Sequence, residues 1–318
     1  MRNIFFNSLT IIFAVFLTLV LIEIFLIFKN SVTPNYDVEM WKYSKSLKVK
    51  SNNILIGHTH KKNQSKELQK VLIRTNELGL RGDKLKNNSK NYDREILIIG
   101  SSIPLGWGVK EENTVSNKLQ QLAQKDDLKW KVHNAGVGNY NTERYVNNYI
   151  ENLQSLTVDT IIILYFVNDT EILNNNYGNF FTRNFQTAVL IWKFYHSLNE
   201  QLGTENIVEY YKKNYSPEFE GYKNAIKSLD ELSRHCFVAK KRCVLAMMPD
   251  IHQMKPYGLE FIHQDMMNIS NNLGFEYIDL LPDLRKVDSK LLWNKYQDPH
   301  PNSLGHSIMA NTLYKFIK

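Results

Sequence analysis

Two hydroxyl side chains, Ser101 and Ser102, follow directly on the unbroken apolar run 96–99 and the glycine that ends it, Gly100. Near the other end of the chain an imidazole, His300, stands two residues after a carboxylate in Asp298-Pro299-His300-Pro301-Asn302. Acyl transfer uses such a set: a nucleophile, a base that takes its proton, an acid that orients the base, and donors aimed at the oxyanion. Candidate donors are the backbone N–H groups of Ser102 and Gly136 and the side-chain amide of Asn168, each placed after an apolar segment. At Gly136 the missing Cβ would let a substrate approach. The prolines beside His300 restrict the backbone and favour a fixed imidazole. Each residue also has a plainer reading: Gly-Ser-Ser as a helix N-cap, Gly136 as a tight bend, Asn168 as a turn residue and Asp298 as an Asx-turn before Pro299.

The elements needed to hold these groups read as an α/β domain. The run 96–99 suits a central parallel strand buried on both faces, and ligands of open α/β sheets gather outside the carboxyl ends of the strands. From Asp93 onward, apolar runs and helical stretches alternate. Helices are expected over 115–124 (capped by Asn113 or Thr114), 142–153, 222–239, 259–273 and 303–317. Further strands are expected over 130–133, 160–166, 242–247 and 276–278. Together they predict a sheet of about five parallel strands. Between 171 and 220 lies an insertion with an apolar helix around 188–198, readable as a lid or substrate wall, a packing appendage, or a segment leaning on a membrane through Phe180, Phe181, Phe185 and Trp192. Other phosphate and nucleophile motifs fail on spacing: there is no Gly-Lys-Ser/Thr, the glycines 100, 106 and 108 do not form G-x-G-x-x-G, and Pro104 stands where G-x-S-x-G needs glycine.

Composition bounds the rest. With 318 residues, 43% hydrophobic and 12% aromatic, the chain can build a substantial core, and its net charge of +7 is modest. Residues 4–28 form a 25-residue apolar stretch broken only by Asn7, Ser8, Thr10, Thr18 and Glu23. At the helical rise it spans roughly 37 Å, enough to cross a bilayer. No small-residue cleavage site follows before Lys29, so the stretch reads as an uncleaved anchor, with Glu23 near enough to its end to reach the interface. Between Trp41 and Lys70 eight lysines face a single Glu67 with no arginine. That suits either a segment near anionic headgroups or a solvated linker, and argues against nucleic acid. Positive-inside counting would keep Lys29, Lys42, Lys45 and Lys48 cytoplasmic, although long domains cross largely regardless of such charge. Cys236 and Cys243 are compatible with a disulfide in an oxidising compartment or with two buried thiols. His58 and His60 lack a third ligand nearby and read as exposed polar side chains rather than a metal site. The expected domains are an anchor over 1–30, a juxtamembrane segment over 31–93, and a catalytic domain over 94–318 carrying the insertion 171–220.

Four blocks in order resemble the SGNH/GDSL hydrolase superfamily: Ile99-Gly100-Ser101-Ser102 with Gly106-Trp107-Gly108-Val109, Asn134-Ala135-Gly136-Val137-Gly138, Val167-Asn168-Asp169, and Asp298-Pro299-His300-Pro301-Asn302 with Gly305-His306. Asn76-Glu77-Leu78-Gly79-Leu80-Arg81 also resembles a segment preceding the first block in membrane-anchored members, so the resemblance runs from about residue 72 to the C-terminus. It implies a three-layer α/β/α, flavodoxin-like fold, with Ser102 as nucleophile, His300 as base and Asp298 orienting it. The oxyanion donors would be Ser102, Gly136 and Asn168, with no metal or organic cofactor. The activity implied is hydrolysis or transfer of an acyl group, such as acetyl, on a cell-envelope glycan or lipid, by a single-pass protein whose domain faces away from the cytoplasm. A lysophospholipase-like esterase and a non-catalytic anchored binding protein are the alternatives. The chain departs from the family where Gly-Asp-Ser reads Gly100-Ser101-Ser102, which removes a carboxylate that braces the loop and makes Ser101 a second candidate nucleophile. Many members also place the acid three residues before the histidine, where this chain has Gln297.

Overall fold

Branched apolar residues dominate the runs that become strands, and such side chains pack well on a pleated surface covered from both sides. The computed structural model describes residues 2–85, 92–174, 178–201, 206–295 and 298–318. Five of the runs form one parallel sheet: β1 (Arg94–Gly100), β2 (Trp130–Gly136), β3 (Thr160–Phe166), β4 (Arg242–Met248) and β5 (Glu276–Asp279). Their order is β2-β1-β3-β4-β5. Register sets Gly100 beside both Gly136 and Leu164, so three carboxyl ends finish together. Because β2 lies on one side of β1 and β3 on the other, the connections diverge there and leave a crevice outside the end of β1. Sequence reading ended the second strand at His133. It continues through Gly136 because Asn134, Ala135 and Gly136 pair with Ile98, Ile99 and Gly100.

The helices are α1 (Arg2–Val32), α2 (Tyr36–Leu47), α3 (Ser102–Leu105), α4 (Val115–Lys125), α5 (Thr142–Asn148), α6 (Phe180–Asn184), α7 (Gln186–Gln201), α8 (Ile207–Asn214), α9 (Glu220–Val238), α10 (Glu260–Leu273) and α11 (Ser303–Ile317), besides two single-turn helices at Leu281–Leu284 and Ser289–Leu292. Side-chain oxygens start several of them; Thr114 accepts from the Asn117 N–H, Asn141 from Arg144, and Asn302 from Leu304 and Gly305. The helix expected over 142–153 is α5 followed by a π-helical turn, Tyr149–Leu153.

The chain divides into two compact units, and the boundaries differ from those expected. One comprises Met1–Ser46 with Asn176–Thr204, the other Leu47–Asn175 with Glu205–Lys318. The juxtamembrane segment is therefore cut in two. From residue 47 it builds the antiparallel pair Lys48–Lys50 with His58–His60 and the hairpin Ser65–Leu68 with Val71–Arg74, and Ile56 and Leu80 enter the core of the sheet unit. The insertion divides as well, its middle belonging to the unit of the N-terminal helices. Residues 86–91 of the one segment and 175–177 and 202–205 of the other lie outside the described residues.

The expectation for His58 and His60 changes, and of the two readings left open for the cysteines the bonded one is found. His58 and His60 are buried rather than exposed, and their rings donate to the carbonyls of Gly138 at 3.1 Å and Gly79 at 3.0 Å. Burial lowers their pKa values to about 2 and about 4, so both are neutral. Cys236, in α9, is bonded to Cys243, in β4, their Cα atoms 6.4 Å apart.

Candidate active site

The turn after β1 is where the sheet and the chemistry meet. Gly100 has φ +147°, and a Cβ there would lie 2.8 Å from the Leu164 carbonyl oxygen and 2.9 Å from Pro104 Cγ. Only glycine allows the chain to bend so sharply from β1 into α3 this close to β3. Ser101 precedes α3 and Ser102 opens it, so the Ser102 backbone N–H has no partner within the helix. Ser102 is half-buried and its Oγ lies 2.8 Å from His300 Nε2.

His300 is held by a two-stranded antiparallel ribbon, Trp293–Lys295 with Asp298–Pro301. Asp298, 2% exposed, brings Oδ1 to 2.6 Å from His300 Nδ1 and accepts the His300 backbone N–H at 3.3 Å. Its other oxygen accepts from Asn294 Nδ2 at 3.4 Å. An ionised carboxylate only accepts, so the imidazole hydrogen sits on Nδ1 and the Nε2 lone pair faces the Ser102 hydroxyl. The three residues thus form one hydrogen-bonded chain across 198 positions of sequence. Gln297 lies outside the described residues.

The remaining candidates separate. Asn168 sits in the turn after β3, half-buried, and its side-chain amide makes no hydrogen bond among the described residues. Gly136 does not present a free donor: its N–H donates to Asn134 Oδ1 at 3.0 Å. A Cβ at Gly136 would fall 2.1 Å from the Leu105 nitrogen, so the space left by the absent side chain is filled by the α3 turn and not by a substrate. Ser101 is buried, and its Oγ accepts the Tyr140 N–H at 3.3 Å. His306 is fully buried, its Nδ1 accepts the Val115 N–H at 3.1 Å, and burial lowers its pKa to about 3, which fits packing between α11 and α4. Among the described residues no group of three or more His, Cys, Asp or Glu could hold a metal.

Sequence reading missed the residues that hold the turn. Arg81, 5% exposed, donates through its guanidinium to the carbonyls of Leu105, Gly106 (2.7 Å) and Val109 (2.6 Å), and through its backbone to the Asn134 carbonyl at 2.9 Å. Asn134 Nδ2 donates to the Pro104 carbonyl at 2.6 Å and the Ser116 hydroxyl at 3.2 Å. Asp169, beside Asn168, is 1% exposed and accepts the Phe166 N–H at 3.1 Å. Burial raises its carboxyl to about 8, so it is protonated at neutral pH. The pattern that could have pointed to Arg81 was an arginine ending a Gly-containing segment just ahead of the first block.

No family model matches the sequence, and no curated protein matches it significantly. The chain is similar to several solved structures. One is a protein assigned to the G-D-S-L lipolytic family from Desulfitobacterium hafniense, with TM-score 0.44 and 12% identity over 70% of this chain and 99% of that one. A second is an acetyl-xylooligosaccharide esterase mutant from Geobacillus, with TM-score 0.47 and 14% identity over 71% and 95%. A third is a lipase/acylhydrolase from Enterococcus faecalis, with TM-score 0.45 and 11% identity over 70% and 95%.

Proposed function

We propose that this chain is a membrane-anchored serine hydrolase that removes, or transfers, an ester-linked acyl group. The observation that carries the reading is the hydrogen-bonded chain from Ser102 Oγ through His300 to the buried Asp298, at 2.8 and 2.6 Å. Ser102 Oγ attacks the ester carbonyl as His300 Nε2 takes its proton, and Asp298 stabilises the imidazolium that forms. The C–O bond to the alcohol breaks as His300 returns the proton to the leaving oxygen. Water, or a second alcohol, then attacks the acyl-serine with His300 again acting as base; the acyl–Oγ bond breaks and His300 returns the proton to Ser102 Oγ. The Ser102 N–H and the Asn168 amide supply the oxyanion donors. No step calls for a cofactor.

The substrate proposed is an acylated glycan or lipid of the cell envelope, with acetyl as the acyl group; it rests on the resemblance carried by the four sequence blocks. An extracytoplasmic domain agrees with the bonded pair Cys236–Cys243, since such bonds persist in oxidising compartments. A lysophospholipase-like activity is the second reading, favoured by a helix, Phe6–Val32, apolar enough to sit among the lipids that would be its substrate.

A fluorophosphonate probe tests the proposal. Labelling of the native protein that is lost in Ser102→Ala and kept in Ser101→Ala supports it; a folded, unlabelled wild type favours an anchored binding protein. Release of acetate rather than long-chain fatty acid divides the two enzymatic readings.

A further inference from the structure

A carboxylate within a membrane-spanning stretch needs partners. Glu23 lies within Phe6–Val32 and finds three at the start of α7: the backbone N–H groups of Gln186 and Thr187, each at 2.8 Å, and the Thr187 hydroxyl at 2.7 Å. The first N–H groups of a helix have no partner inside it, so α1 supplies the cap of α7 from a residue far away in sequence. Asn30 Nδ2 adds a bond to Gln186 Oε1 at 2.6 Å, and Leu26 between them is buried. Glu23, Leu26 and Asn30 recur at the spacing of one helical stripe, and most other residues of α1 are exposed. α2 runs back along α7: Asp37 pairs with Lys193 at 3.7 Å, the rings of Trp41 and Trp192 meet edge-on at 5.8 Å, and Lys45 Nζ donates to Asn184 Oδ1 at 2.8 Å.

This places an aromatic edge at the level of Glu23. Phe180, Phe181 and Phe185, the last of them next to the residue that Glu23 caps, cluster with centroids 5.6 to 6.4 Å apart, and all three are exposed. Counting from residue 4 to Glu23 gives twenty residues, about 30 Å of helix, which matches a bilayer's hydrocarbon thickness. Aromatic rings and lysines collect at the boundary where that thickness ends.

We infer that the hydrocarbon core ends near Glu23 rather than at Val32, and that α6 with the start of α7 lies in the interface, inserting Phe180, Phe181 and Phe185 among the acyl chains. The occupant is the bilayer because the three exposed rings belong to the same unit as α1, next to the residue that Glu23 caps, and the outward side chains of α1 are apolar and exposed. The inference rests on the reading of α1 as an anchor.

The test is a nitroxide placed through Phe16→Cys, Phe181→Cys or Leu72→Cys in the full chain, reconstituted in phosphatidylcholine/phosphatidylglycerol vesicles. The native cysteines are bonded to each other and stay unlabelled. All three positions are exposed on the protein. Collision with oxygen relative to a water-soluble nickel chelate reports depth. The expected ratio is highest at Phe16, lower but several-fold above Leu72 at Phe181, and lowest at Leu72. Oxygen-favoured Phe16 with Phe181 matching Leu72 overturns the insertion and leaves the anchor standing, whereas Phe16 and Phe181 both matching Leu72 removes the anchor itself. A label at Phe181 shielded from both reagents means that a second copy of the chain covers the patch, and also overturns the inference.

Discussion

Ser101 and Ser102 are neighbours in sequence with opposite surroundings. Ser101 is buried with its oxygen committed to the Tyr140 N–H, while Ser102 is half-buried with its oxygen against His300. Ser101→Ala therefore keeps most of the esterase activity, and Ser102→Ala loses it by at least about 10³-fold in kcat. Asp298→Asn removes the acceptor that holds the hydrogen on Nδ1; kcat falls by roughly 10³ to 10⁴-fold while KM changes little, as steady-state kinetics on a chromogenic ester would read. A drop in KM-limited binding alone would mean that Asp298 acts on the ribbon and not on the imidazole. Asp169 has a pH signature of its own. Its carboxyl titrates near 8 in the folded protein against 3.8 in its unperturbed state, so the folded state holds the extra proton and loses stability as pH rises between those values. Asp169→Asn should raise the melting temperature more at pH 8 than at pH 5, and equal gains at both would show that the carboxyl is ionised when folded.

At the scale of elements, the site depends on how a four-residue helix is kept in place beside a sheet. The bracing comes from Arg81 and Asn134, which together take the carbonyls of Pro104, Leu105, Gly106 and Val109. Arg81→Met leaves buried carbonyls without donors and should destabilise the protein by about 2 kcal/mol or more in urea unfolding. It should also lower kcat in the folded fraction, because the turn it releases carries Ser102; unchanged kcat would confine Arg81 to stability. The same packing explains Gly136. Its N–H donates to Asn134 and its missing Cβ leaves room for Leu105, so it helps seat α3.

For the whole molecule, the two compact units have different chemistry: one gathers the apolar α1 with the aromatic part of the insertion, the other the sheet, the ribbon and the hydrogen-bonded Ser102–His300–Asp298 chain. The disulfide belongs to the second. If that unit faces an oxidising compartment, Cys236 and Cys243 in freshly lysed, alkylated cells should react with maleimide only after reduction. Two thiols reactive without reductant would place the domain in a reducing compartment and reverse the proposed topology.

Much of this was readable along the chain because it rests on local patterns. The strand at 160–166 and the helix at 303–317 follow from apolar patterning, a property of a few consecutive residues. Ser102, His300 and Asp298 could be singled out because nucleophile, base and acid are defined by side-chain type. What local pattern could not carry were relations between distant segments. The burial of His58 and His60, the closing of the Gly136 space by Leu105, the guanidinium of Arg81 behind the turn that carries Ser102 and the capping of α7 by Glu23 each join residues that no period or spacing connects. Such contacts arise only when burial of the apolar faces has chosen which segments pack together, and the polar groups then find whichever partners that packing leaves within reach.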